Sequence, residues 1–144
     1  RSSMDDTTDF GGQPYVVNIE DLTVANDKFR VAKWTGSNMQ MTVMAIQPGG
    51  EVGLEVHNDH DQFLRIEEGS AKVVMGPSED NLNFEESAED AFAILVPAGT
   101  WHNIINTGDV PLKLYSLYAP AEHPKGTVHE TYEEAMAAEA EHHH

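Results

Sequence analysis

Residues 49–62 of the chain read GGEVGLEVHNDHDQ, and residues 97–106 read PAGTWHNIIN. Each stretch opens with a glycine or proline turn signal and continues with apolar residues that alternate with polar ones, a pattern typical of half-buried β-strands. The first stretch predicts a strand over 52–57, and the second predicts a strand over 102–105. Both predicted strands carry polar side chains that could take part in chemistry.

These polar side chains are expected to meet inside the fold. Glu55 and His57 share one face because strand side chains alternate, and His102 shares a face with Ile104. Gln62 follows the polar turn and begins the next strand on its apolar face. Burying several polar groups on such a face is costly unless a metal ion or a mutual hydrogen-bond network satisfies them. The residues alone leave both possibilities open.

The rest of the chain predicts further short strands separated by turn residues. They lie at 29–34, 39–46, 63–66, 72–75, 91–96 and 112–118. Many short strands at this spacing favour an all-β sandwich or barrel. Residues 77–90 contain six acidic residues and no basic residue, which predicts a solvated loop. Thr131 and Glu134 form a capping box, so a short helix is predicted near the C-terminus.

Together, the two opening stretches resemble the signature motifs of the cupin superfamily. The motifs read G-x5-H-x-H-x3-4-E-x6-G and G-x5-P-x-G-x2-H-x3-N. Seven of their ten fixed positions match in register: Gly49, His57, Gly69, Pro97, Gly99, His102 and Asn106. Glu55, Gln62 and Ala91 stand where the family has His, Glu and Gly. The chain therefore resembles a small single-domain bacterial cupin.

The resemblance implies a short antiparallel β-barrel of jelly-roll type, often dimeric, with a metal ion near one open end. Carried over by position, the metal ligands would be Glu55, His57, Gln62 and His102. This set carries one negative charge, like the usual three histidines and one glutamate, because the carboxylate has changed place. Such donors suit Mn(II), Fe(II), Ni(II) or Zn(II). Without Gln62, the other three still form a two-histidine, one-carboxylate set with open positions.

The function implied by the resemblance has three versions. The leading one is a metal-dependent enzyme acting on a small polar substrate, and isomerase, lyase and dioxygenase chemistries all occur on this fold. In the second, the cupin is metal-free, its polar cluster is internally hydrogen-bonded, and Glu55 has a raised pKa and serves as the general base. In the third, the protein binds a small ligand without catalysis.

The charge and composition of the chain limit the kinds of molecule that it is expected to bind. The chain has 25 Asp and Glu against 8 Lys and Arg, a net charge of −17. This charge disfavours nucleic acid and anionic membrane surfaces as partners. The absence of cysteine excludes disulfides and thiolate ligands. The longest apolar run spans 91–96, and no signal peptide is readable, so a cytoplasmic location is expected.

The chain is interpreted as one domain with two artificial ends. Residues 1–3 read as an expression scar, residues 4–141 as a single cupin domain, and residues 142–144 as a partial His tag. A homodimer is expected, because the edge strands of such a barrel need to be covered. The remaining histidines, expected in exposed turns and loops, are His60, His123 and His129.

Overall fold

The computed structural model describes residues 7–142, with side chains as far as residue 139. The interpretation of residues 1–3 as a scar and of 143–144 as part of a tag concerns residues outside this range, whereas the backbone of His142 belongs to the C-terminal helix. None of the described helices is long and apolar enough to cross a membrane.

The described residues form mostly antiparallel strands, which confirms the all-β class. In chain order, the elements are α1 (Ile19–Ala25), β1 (Arg30–Thr35), β2 (Gln40–Ile46), β3 (Asp61–Glu68), β4 (Ser70–Gly76), β5 (Phe84–Glu89), β6 (Ala93–Val96), β7 (Trp101–Asn106), β8 (Leu112–Ala119), β9 (Val128–His129) and α2 (Tyr132–His142). The larger sheet has the order β6-β3-β8-β2-β1-β9, and the smaller has the order β5-β4-β7. This two-sheet arrangement matches the predicted jelly-roll type, although strand pairing does not close the described sheets into a continuous barrel.

The apolar core combines residues of both sheets. Leu64 and Ile66 of β3 are buried and belong to one cluster with Val73 of β4 and Ile104 of β7. Burying a side chain of this kind contributes roughly 1.5–3 kcal/mol relative to leaving it exposed. The alternation that buries Leu64 and Ile66 also buries Gln62 on the same strand, as the sequence predicts.

The segment 52–57 does not form the predicted strand. Gly53 has a φ of 111°, a conformation that side chains with a Cβ rarely adopt, and it interrupts the extended backbone. The segment still follows the edge of β7, because Glu55 and His102 exchange backbone hydrogen bonds of 2.9 and 3.0 Å. These two hydrogen bonds place Glu55 directly opposite His102.

The sequence does not predict three of the short elements. The expected loop over 77–90 is wrong in its second half, because β5 pairs with β4 from Phe84 to Glu89. Five of the six β5 residues are exposed, so the strand lacks the apolar alternation that would reveal it. Helix α1 has seven residues and β9 has two, and such short elements give no periodic signal.

The predicted C-terminal helix is present as α2. Its capping box is formed in part by Glu134, whose backbone N–H donates to Thr131 Oγ1 at 3.1 Å. Ala135 in the first turns is fully buried in the core, which holds the helix against the strands. The helix thereby brings Glu139 to 3.1 Å from Arg30 at the start of β1.

Ala91 has a φ of 77° at the position where the family motif has glycine. This backbone conformation destabilises the folded state by roughly 1–2 kcal/mol when the residue has a Cβ. Glycine avoids this strain, but part of the gain is lost because the unfolded chain is more flexible at a glycine. We therefore expect Ala91→Gly to raise the free energy of unfolding by about 0.5–1 kcal/mol in urea denaturation. Ala93→Gly, on the exposed face of β6, is the matched control and should lower it by a similar amount. Destabilisation in both variants would contradict the strain at Ala91.

Candidate metal centre

Three of the four predicted ligands come together in the structure. Glu55 Oε1 lies 3.1 Å from His57 Nε2 and 3.7 Å from His102 Nε2. One donor atom from each residue lies within 4.8 Å of the other two. A divalent ion binds such donors at about 2.0–2.2 Å, so one ion between the three would reach them all after small side-chain movements.

The backbone fixes each of these three residues. Glu55 and His102 face each other across an isolated antiparallel bridge. The carbonyl of His57 accepts a hydrogen bond of 2.9 Å from the backbone N–H of Gly99, in the turn before β7. His102 Nδ1 lies 3.0 Å from the carbonyl oxygen of Thr100 and therefore carries the ring proton. The lone pair of His102 Nε2 is thus left for the cluster.

Electrostatics hold the cluster's carboxylate in its charged form. Burial raises the pKa of Glu55, but the hydrogen bond with His57 and the charges of Arg30 and His57 outweigh burial and hold this pKa well below its ordinary value. Burial lowers the pKa of His57, whereas hydrogen bonds with Glu122 and Glu55 raise it to about 9. The raised pKa expected for Glu55 is therefore wrong, because Arg30, which is distant in sequence, and the neighbouring His57 stabilise the carboxylate.

Gln62 lies on the inner face of β3, opposite Tyr118 of β8 in the strand register. Its Nε2 donates to Ser116 Oγ at 2.8 Å. Its Oε1 is buried and has no hydrogen-bond partner within the described part of the chain. The Tyr118 ring lies 5.8 Å from the ring of His57. Gln62, which is paired with Tyr118, therefore lies on the part of the sheet next to the cluster. Metal ligation by Gln62 stays a prediction.

Glu122 is a site residue that the sequence analysis misses. Its Oε1 lies 3.4 Å from His57 Nδ1 and 3.5 Å from His60 Nε2. A carboxylate that accepts the Nδ1–H of a histidine fixes the orientation of the ring and with it the direction of Nε2. Glu122 is therefore placed to orient His57. His60 Nε2 also lies 2.9 Å from the carbonyl oxygen of Ala121, which draws His60 off the surface where the sequence places it. No motif marks Glu122, because it follows β8 in an irregular loop.

The surroundings of the cluster contain more buried polar groups than the sequence predicts. His123 and His129 are both buried, so the expectation of an exposed loop is wrong. Gln40 accepts a 2.9 Å hydrogen bond from the backbone N–H of His123 and donates one of 2.8 Å to its carbonyl, which holds the loop inward. The pairing of β9 with β1 places His129 opposite Arg30, whose side chain is fully buried.

The donors of the cluster fit a divalent metal ion. One carboxylate and two imidazoles are the oxygen and nitrogen donors that such ions prefer. His102 Nε2 is buried without a hydrogen-bond partner among residues 7–142, and an atom in this state is costly unless something binds it. The structure thus contains a possible Glu–His–His metal site.

The family of the chain follows from a comparison with known sequences. The profile of the family described as "Cupin domain" matches residues 42–118, more than half of the chain. The chain belongs to the cupin family. This match confirms the resemblance that the two motifs indicate, and the cupin range contains all of the cluster residues and Gln62.

Two relatives resemble this cupin along most of its length, and a third resembles it in fold. It is 55% identical over 143 residues to the uncharacterised protein YrkC of Bacillus subtilis (strain 168), covering 96% of this chain and 77% of YrkC. The crystal structure of BH2720 from Bacillus halodurans superposes with a TM-score of 0.90 at 60% identity, covering 90% of this chain and 98% of that one. An oxalate decarboxylase of Lactobacillus farciminis, solved as a formate complex, has a TM-score of 0.54 at 23% identity, covering 60% and 25% of the two chains. That third likeness shows a common fold alone.

His123 should make the cupin sensitive to acid. Burial, with the nearby charge of Arg30, holds the pKa of His123 well below its ordinary value. Below about pH 6.5 the His123 ring is protonated in the unfolded chain but stays neutral in the folded chain. Its contribution to stability is therefore present above this pH and is lost as the pH falls. Between pH 6.5 and 5, the free energy of unfolding should fall by about 1.6 kcal/mol more in the wild type than in His123→Phe. The phenylalanine keeps the ring contact with Tyr118.

Urea denaturation with EDTA present, at both pH values, measures this difference without a contribution from bound metal. Groups that titrate in both proteins cancel in the comparison, so only the ring at position 123 distinguishes them. Equal losses of stability in the wild type and His123→Phe would contradict a buried neutral His123.

Proposed function

We propose that this cupin binds a divalent transition metal ion through Glu55, His57 and His102, with Gln62 as a fourth ligand, and acts as an enzyme on a small polar molecule. The convergence of one carboxylate and two imidazoles carries the proposal. The unpaired Oε1 of Gln62 supports its role as the fourth ligand. The donor set favours Mn(II), Fe(II), Ni(II) or Zn(II) over softer ions.

Two residues outside the ligand set orient the histidines of the cluster. Thr100 fixes the ring of His102 through Nδ1, and Glu122 does the same for His57. A bound metal ion would supply polarisation of a substrate oxygen or activation of water. The fold shared with an oxalate decarboxylase supports a small-molecule substrate, while the choice among isomerase, lyase and dioxygenase chemistry rests on the substrate itself.

The metal-free alternative, with Glu55 as the general base, fits the site less well. A general base must hold a proton at a pH near its working range, and the pKa of Glu55 lies well below its ordinary value. An internal hydrogen-bond network also leaves His102 Nε2 unpaired within the described structure. The homodimer and the cytoplasmic location stay predictions.

The metal content of the protein tests the proposal. Protein lacking residues 142–144 and purified without nickel resin should contain about one equivalent of a divalent transition metal per chain by elemental analysis. EDTA should remove the metal and lower the melting temperature, and returning the metal should restore it. His60→Ala is the matched control, because it removes a nearby imidazole outside the cluster and should keep the metal. Protein that neither contains nor is stabilised by any of the four metals would overturn the proposal.

A further inference from the structure

Arg30 is a buried cation that the proposed function does not use. Its side chain is fully buried at the start of β1. Its Nη1 lies 3.1 Å from Glu139 Oε2 and 3.3 Å from His129 Nδ1. Its Nε and Nη2 have no hydrogen-bond partner in the described structure. Unpaired donors on a buried charge are costly, so they point to a group that binds there.

The two unpaired nitrogens of Arg30 form one edge of the guanidinium. The N–H bonds of Nε and Nη2 run parallel, and their spacing matches the two oxygens of a carboxylate. Glu139 contacts Nη1 with a single oxygen, which is the less specific way for a carboxylate to bind arginine. Arg30 therefore already holds a carboxylate by one contact and keeps the edge suited to a bidentate carboxylate unpaired.

Arg30 is close enough to the candidate metal centre for its charge to act there, and two residues that contact it line a surface cavity. Its charge acts on Glu55 of the cluster and on Tyr118, whose ring lies 5.8 Å from that of His57. Glu139 and His129, which both contact Arg30, line a cavity of about 380 Å³. This volume lies in the range of small-molecule sites. A ligand carboxylate in the cavity that took the place of Glu139 at Nη1 would have the unpaired Nη2 beside it as a second donor.

We propose that Arg30 is the carboxylate-binding residue of this cavity, and that the carboxylate of a small ligand displaces Glu139 from the Arg30 guanidinium. The inference rests on the proposed function for the view that cavity and metal centre serve one ligand. Exchanging one carboxylate for another keeps the charge around Arg30 unchanged, so the buried cation stays paired throughout. In a chain of net charge −17, a local buried cation is also what recognition of an anion requires.

Acetate is the probe, and acetamide is its neutral counterpart of similar shape. Both are titrated by calorimetry at constant ionic strength into tag-free protein, once after EDTA treatment and once loaded with Zn(II). We expect saturable binding of acetate and none of acetamide. Glu139→Gln should raise the acetate affinity about tenfold, because it removes the competing carboxylate. Glu133→Gln makes the same charge change on an exposed position of α2 and should leave the affinity within about twofold.

Arg30→Lys, made in the Glu139→Gln background, removes the fork and keeps the positive charge. The acetate affinity should then fall at least about tenfold, with the fold checked by circular dichroism. If that variant does not fold, the acetate affinities of Glu139→Gln and Glu133→Gln, compared with each other, test the inference by themselves. Equal binding of acetate and acetamide, or no gain from Glu139→Gln, would overturn the inference.

The two arms of the titration separate this inference from the proposed function. Metal-free protein that binds acetate in an Arg30-dependent way, and takes up no metal, would refute the metal function alone. Zinc-loaded protein that binds acetate regardless of the substitutions at Arg30 and Glu139 would refute the role of Arg30 alone, because the acetate would then sit on the metal ion.

Discussion

Glu55→Gln is expected to lose its metal under conditions in which the wild type is saturated. The substitution removes the carboxylate of the clustered donors and leaves a neutral set around a divalent cation. Changing a residue that merely supports a ligand costs 10- to 100-fold in affinity, so losing a charged ligand should cost at least about 100-fold. Elemental analysis and calorimetric titration of tag-free protein measure the loss. Undiminished metal content would exclude Glu55 as a ligand.

Gln62→Glu is the matched variant, because it returns a carboxylate to the position where the family motif has one. Ser116 Oγ, now an acceptor from Gln62, can donate to the new carboxylate. We expect Gln62→Glu to keep or tighten metal binding and to restore part of it when combined with Glu55→Gln. In a metal-free protein, the same substitution would set two carboxylates side by side and lower the melting temperature near neutral pH. Failure of the double variant to regain metal would count against the exchanged carboxylate.

Asn106→Ala is expected to lower the free energy of unfolding by about 3 kcal/mol or more. Asn106 Nδ2 donates to the carbonyl oxygens of Ile46 and Val110, both at 2.9 Å, and Oδ1 accepts from the backbone N–H of Gly108 at 2.9 Å. The side chain thus ties the end of β2 to the turn between β7 and β8. Alanine would leave three backbone groups unpaired at a mostly buried position, each costing roughly 1–3 kcal/mol before relaxation.

Thr107→Ala is the control for Asn106→Ala, because it removes a polar side chain from the exposed neighbouring position. It should change the free energy of unfolding by less than about 0.5 kcal/mol. Asn106→Asp keeps the acceptor for Gly108 but turns an anion toward two carbonyl oxygens, so it should be as damaging as alanine. Urea denaturation in EDTA compares the three. A loss below about 1 kcal/mol in Asn106→Ala would show that water replaces the side chain.

The sequence predicts those parts of the fold whose strands have one buried face. The alternation of Leu64 and Ile66 on β3 gives such a signal, and the structure confirms both as core. β5 gives none, because its pairing with β4 is made by the backbone and most of its side chains are exposed. The break at Gly53 is equally invisible to alternation, since it depends on a φ that only the folded chain displays.

The candidate site shows the same limit. Glu55, His57 and His102 are found because two motifs fix their spacing, and the structure brings them together. Arg30 and Glu122 are missed, because they reach the cluster from β1 and from a loop after β8 without any local pattern. The charge of Arg30 also helps to reverse the pKa shift that burial alone predicts for Glu55. Long-range partners of this kind are determined by topology and not by spacing.

The exposed strand β5 forms one edge of the smaller sheet, and its carboxylates bear on how separate molecules behave toward one another. An unpaired strand edge is a template on which another chain can add, and charged side chains are a common way to block this addition. Glu85, Glu86 and Glu89 place three negative charges along this edge, beside Phe84, which is 47% exposed. At neutral pH two such edges repel each other. These carboxylates therefore oppose the addition of a second copy's strand along this edge.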